Sequence, residues 1–84
     1  MKIALSVWGN RISPVFDTST TVLIVEVANG VELNRSILKI DGIGPIRRPK
    51  FLKEQGVTVL ICGAITKEVT VACESSELEL IPFI

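Results

Sequence analysis

The sequence predicts an α/β fold: one domain over residues 1–84, built on a mixed five-stranded sheet with helices packed on its faces. Three observations carry this. The run "VTVLICGA" (57–64) is apolar throughout, as a central parallel strand buried on both faces requires. Helical signals flank it on both sides, so strand–helix–strand crossovers with parallel pairing and right-handed connection are implied. In "VEVANGVE" (25–32), Asn29–Gly30 sits between two β-rich runs; a type I′ turn needs positive φ at both central residues, so this is a hairpin and part of the sheet is antiparallel.

Each element can be justified in order. "KIALSV" (2–7) is short and mostly apolar, a buried strand. "WGNRISPVFDTST" (8–20) reads as a loop from Gly9, Asn10 and Pro14, yet carries Trp8, Val15 and Phe16. It is either the rim of a crevice, with Phe16 tucked under the sheet end, or a plug for the open end of the core. "TVLIVEVA" (21–28) is β-branched, with Glu26 its one charge, and "VELNRSILKI" (31–40) mixes polar residues in, as an outer strand near the sheet edge does.

"DGIGPIRRP" (41–49) breaks the pattern, and Pro49 suits the first helical position of "PKFLKEQ" (49–55), with Phe51, Leu52 and Gln55 facing inward. Gly56 can end that helix in the left-handed conformation. Arg47, Arg48, Lys50 and Lys53 read as a solvated helix face, or else an anion contact. Thr66 can cap the next helix, Glu68 complements its dipole, and Val69, Ala72 and Cys73 share one face. "LELIPFI" (78–84) is a last strand.

Composition excludes several functions. The chain of 84 residues is 48% hydrophobic and balances nine Lys and Arg against nine Asp and Glu. A net charge of zero lacks the basic excess of a nucleic-acid or anionic-membrane footprint. No apolar run reaches the roughly 18 residues of a membrane span, and no signal-peptide pattern stands at the N-terminus. The expected location is the cytoplasm. There is no His, so Ser–His–Asp and Cys–His nucleophile systems cannot be built, and neither can His-based zinc sites. The expectation is a protein with no catalytic residues.

The candidate site follows from topology. Ligands of open α/β sheets bind beyond the strand carboxyl ends where strand order reverses. If the first strand lies between the hairpin and the 57–64 strand, that crevice is lined by Trp8, Asn10, Ser13, Pro14, Phe16 and Asp17 on one side and by Gly63, Ala64 and Thr66 on the other. "CGAIT" (62–66) ends in a helix start, a generic anion site or an ordinary turn. Cys62 and Cys73 lie in apolar segments; Cys62 is either a buried reduced thiol, a disulfide partner, or a redox or metal ligand.

"KIALSVWGNRISPVFDTS", "VEVANGVE", "LKEQGVTVLICGAI" and "LELIPFI" together resemble the dinitrogenase iron–molybdenum cofactor biosynthesis family across essentially the whole chain. The resemblance implies a ribonuclease-H-like sheet of spatial order 3-2-1-4-5. It implies a small non-enzymatic accessory protein that carries or inserts an iron–sulfur or iron–molybdenum-type cluster. The alternative is a structural or protein-interaction module of the same fold that no longer binds a cluster. Where the family's opening loop resembles Ser–Pro–His–Phe–Gly, this chain has Ser13–Pro14–Val15–Phe16–Asp17, with no His ligand, so Cys62 is the one plausible metal ligand and tight cluster binding is not expected. Glu77 stands where the family often has a helix-ending Gly. The resemblance also implies a further Cys–Gly turn and C-terminal helix beyond Pro82 that this sequence lacks; the sheet near the final strand is therefore expected to be bare and to pair with a second copy or another protein.

Overall fold

In the computed structural model, which describes residues 1–84, the chain runs β1 (Lys2–Trp8), β2 (Arg11–Ile12), β3 (Thr21–Ala28), β4 (Val31–Lys39), α1 (Arg48–Glu54, preceded by a 3₁₀ turn at Pro45–Arg47), β5 (Val57–Ile61), α2 (Lys67–Ser75) and β6 (Glu79–Ile81). The sheet is mixed and six-stranded rather than five-stranded, with the path β4-β3-β1-β5-β6 and β2 paired to β1 off it. The order differs from the expected 3-2-1-4-5 by this added strand: the five expected strands lie as β4-β3-β1-β5-β6, and β2 is extra beside β1. The added strand is two residues of the segment read as loop, where Gly9–Asn10 turns the chain back so that Val7 faces Ile12 and Trp8 faces Arg11.

β1 sits centrally, antiparallel to β3 and parallel to β5, and β5 is parallel to β6. The Asn29–Gly30 turn joins β3 to β4 with both residues at positive φ, 53° and 75°. β5 is shorter than the 57–64 run: the regular ladder ends at Ile61, Cys62 and Gly63 exchange backbone hydrogen bonds with Ile81, Phe83 and Ile84, and Ala64 makes a single parallel bridge to Val15. The final strand is likewise confined to Glu79–Ile81.

Both helices cover the same face of the sheet. Leu52 of α1 and Val69 and Cys73 of α2 share one buried cluster with Ala4, Val22 and Leu60 of the strands, and α1 touches α2. The helices expected on the sheet's faces are therefore on one face only. Gln55, expected inward, is exposed, and Thr66 occupies the N-cap of α2 without a side-chain capping bond. Arg48, read as part of a solvated basic face, is buried at 4% exposure.

Candidate functional site

The strand-end crevice is built by two short segments that meet past the carboxyl ends of β1 and β5. The first begins at the β1–β2 hairpin. Gly9 takes φ +64°, the conformation that the first central position of a type II′ turn demands and that glycine adopts without a Cβ clash. This leaves Trp8 62% exposed, with the Arg11 guanidinium 5.2 Å from its ring centroid, a cation–π pair at the tip.

From there the chain doubles back as a strap. The Ser13 N–H donates to Ser6 O (2.9 Å) and the Ser13 hydroxyl to Val15 O (3.3 Å). Ala64 N–H donates to Pro14 O and Phe16 N–H to Ala64 O, both at 2.8 Å, so the strap is zipped onto the turn that follows β5. Phe16 enters the core with no exposed surface. Gly63 makes the close approach possible: a Cβ there would lie 2.5 Å from Ser13 O and 2.6 Å from Pro14 O. The space a glycine leaves open at this turn is filled by the chain's own backbone.

Two polar contacts lock the strap. Asp17 accepts from the Thr66 hydroxyl (2.6 Å) and from the Thr66 N–H (3.2 Å), which ties the loop to the start of α2 and explains why the Thr66 side chain does not cap its own helix. Arg48 reaches in from α1, donating Nη1–H to Phe16 O (2.7 Å) and Nε–H to Ile43 O (2.9 Å), with its guanidinium 5.6 Å from the Phe16 ring centroid. Burial lowers its pKa from the ordinary arginine value, while Asp17 and Asp41 act in the opposite sense. Arg48 escaped the sequence reading because helical spacing alone put it among exposed lysines. The Gly9–Asn10 hairpin did carry a signal, since Gly-Asn between strand-like pairs is a recognised two-residue turn.

The structure thus brings together Ser13, Pro14, Phe16 and Asp17 with Cys62, Gly63, Ala64 and Thr66; Trp8 shares a cavity of about 260 Å³ with Ser13 and Pro14 on the strap's other side, and Asn10 stands apart on the hairpin. Cys62 has no exposed surface, and burial, helped by the Asp17 charge, pushes its thiol up to about 11. Cys73 is equally buried and is raised to about 11, by burial first and then by Cys62.

A side-chain-ligated iron–sulfur or iron–molybdenum cluster needs several thiolate or imidazole donors at the surface of a pocket. Here both cysteines are free buried thiols held in the protonated form, the sequence has no imidazole, the Asp17 carboxylate is engaged by Thr66, and no three His, Cys, Asp or Glu side chains stand together. These residues do not fit such a cluster. No helix is long and apolar enough to cross a membrane.

Residues 1–82 match the family model described as "Dinitrogenase iron-molybdenum cofactor". No curated protein matches the sequence. The fold is similar to the crystal structure of PH0822, at TM-score 0.86 and 18% identity over 98% of this chain and 78% of that one. It is also similar to a proposed dinitrogenase, MJ0327 of Methanocaldococcus jannaschii, at 24% identity over 98% of this chain. The TM-score is 0.76 over 74% of the crystal structure's chain and 0.77 over 73% of the NMR structure's chain. At these identities the likeness is one of fold.

Proposed function

Because the chain belongs to the dinitrogenase iron–molybdenum cofactor family, we propose that it is a small cytoplasmic accessory protein of ribonuclease-H-like fold. It takes part in handling an iron–molybdenum or iron–sulfur-type cluster as cargo, catalyses no reaction, and acts through contact with another protein chain instead of ligating the cluster with its own side chains. The observation that carries this reading is the closed crevice: the 13–17 strap is hydrogen-bonded across the 63–66 turn and seals Cys62, the one candidate soft ligand beside it. The lack of His in the sequence supports the non-enzymatic part, since it removes the commonest general base and nucleophile activator.

Anaerobic reconstitution with ferrous iron and sulfide, followed by desalting, iron analysis and a visible spectrum, tests it. The protein is expected to emerge colourless with substoichiometric iron. A brown protein holding stoichiometric iron would overturn the reading and restore direct cluster carriage by this chain.

A further inference from the structure

The structure divides the four basic residues Arg47, Arg48, Lys50 and Lys53 into two pairs. Arg48 is occupied by the Phe16 and Ile43 carbonyls, and the Lys53 ammonium donates to Glu77 O at 3.3 Å. The side chains of Arg47 and Lys50 hydrogen-bond to no other residue, and the one ion pair of the chain joins Arg35 to Glu32. Both line a cavity of about 370 Å³, together with Gly42, Ile43, Phe51 and Glu54. Small-molecule sites occupy roughly 300–1,000 Å³. All the lining residues fall between 42 and 54, so one continuous segment builds the cavity and neither chain end contributes to it.

Residues 47, 50, 51 and 54 follow the spacing i, i+3, i+4 and i+7 and share one face of α1 and the turn before it. The face that α1 turns to the core is the neighbouring one, Arg48, Pro49 and Leu52. On the cavity face, Phe51 is half-buried against the core cluster, while Arg47, Lys50 and Glu54 are exposed. Lys50 and Glu54 stand one helical turn apart without pairing. Gly42 leaves its part of the lining open, since an added Cβ would meet nothing within 4 Å, and its N–H and C=O make no hydrogen bond within the chain.

We propose that this cavity binds a purine nucleoside monophosphate, with guanine the preferred base. Arg47 and Lys50 supply two adjacent positive charges for the phosphate, one as a planar fork and one as a compact ammonium. The Phe51 ring and the Ile43 side chain offer an apolar surface on which a base can stack. Glu54 ends the row with an acceptor-only carboxylate. Its two oxygens match the adjacent N1–H and N2–H donors of guanine, whereas adenine presents a single amino group. Seven residues rising about 1.5 Å each place Glu54 about 10 Å from Arg47 along the helix. That is the length of a nucleoside monophosphate from its phosphate to the far edge of its base, and an α-amino acid is too short to span it. Two cations against one carboxylate leave the lining net positive, as an anionic ligand requires. Binding there needs neither a metal cluster nor a second protein chain.

Isothermal titration calorimetry of the full chain with GMP tests the proposal, with AMP, ribose 5-phosphate and inorganic phosphate as comparison ligands. GMP is expected to bind with a dissociation constant below about 1 mM, AMP at least about threefold more weakly, and the two ligands without a base at least about tenfold more weakly. Arg47→Ala and Lys50→Ala should each weaken GMP about tenfold with the far-UV circular dichroism unchanged, because both side chains are exposed. Glu54→Gln should remove the preference for GMP over AMP, since an amide no longer offers two acceptors. Lys53→Ala, outside the cavity, should leave GMP affinity within about twofold of wild type. No binding of GMP at about 1 mM overturns the proposal. So does GMP binding no tighter than inorganic phosphate, AMP binding as tightly as GMP, or GMP affinity indifferent to Arg47→Ala and Lys50→Ala.

Discussion

Replacing Gly63 by alanine tests the closed strap directly. Gly63 is not at a positive φ, so the substitution adds no backbone strain of its own; its whole effect is spatial. The new Cβ would stand 2.5 Å from Ser13 O, 2.6 Å from Pro14 O and 3.0 Å from Pro14 C, all backbone atoms that cannot rotate aside. The strap must retreat. That loosens the two 2.8 Å bonds between Pro14, Ala64 and Phe16, each contributing about 1 kcal/mol. It also partly unseats Phe16, whose complete removal would cost about 3–5 kcal/mol. The combined loss is about 3 kcal/mol, against a total of roughly 4–12 kcal/mol for a domain of 84 residues. The melting temperature should fall by roughly 12–24 °C. Equilibrium urea unfolding measures the loss, and native-state labelling of Cys62 by a thiol reagent should accelerate because the lid above it opens. Gly42→Ala, where a Cβ meets nothing within 4 Å, is the control. If Gly63→Ala unfolds within about 0.5 kcal/mol of wild type and leaves Cys62 unreactive, the strap is not held by this contact and the closed crevice is misread.

Ser6→Ala should stabilise the protein by about 1 kcal/mol, because the buried Ser6 hydroxyl has no hydrogen-bond partner; urea unfolding reads the sign directly. Arg48→Ala should cost about 2–4 kcal/mol by leaving the Phe16 and Ile43 carbonyls without their donor, and Arg48→Lys somewhat less, since an ammonium keeps the charge but not the fork that spans both; thermal melts rank the two. In the native wild type, both thiols should react with a thiol reagent only as fast as the chain unfolds, since protonated buried thiols are poor nucleophiles. The same thiols, raised from 9.0 to about 11, set an alkaline limit: their contribution is intact below about pH 9 and is lost as pH climbs through 11, by about 3 kcal/mol per thiol. Unfolding curves between pH 8 and pH 11 check this, and Cys62→Ala with Cys73→Ala should flatten the dependence.

Much of the fold is legible in local chemistry. Asn29–Gly30 announces its hairpin because positive φ at two adjacent positions is a demand few residues meet. Pro49 and Gly56 bracket α1 because one removes a donor that a first turn does not use and the other accepts the left-handed cap, at φ +89°. The 57–64 run announces a central strand, though not its length, because an apolar side chain in a buried turn looks the same as one in a ladder; Cys62 and Gly63 are buried without belonging to β5. The candidate site residues were legible as a group from strand-end topology. Their packing against one another was not.

What the sequence by itself determined is which of the longer segments extend, which turn and which coil, together with the family: these rest on φ preferences, side-chain periods and short motifs, all properties of neighbours in the chain. What only the tertiary structure decided is what those segments meet. Arg48 is solvated by helical spacing and buried in fact, because Phe16 O, 32 residues away, lies within its reach. Gly63 reads as a ligand cradle until the strap from Ser13 and Pro14 occupies it. Leu5, Leu23 and Ile61 read as core until both helices settle on the opposite face. In each case the deciding contact is made between residues far apart in the chain, so its energy depends on an arrangement that no local pattern encodes.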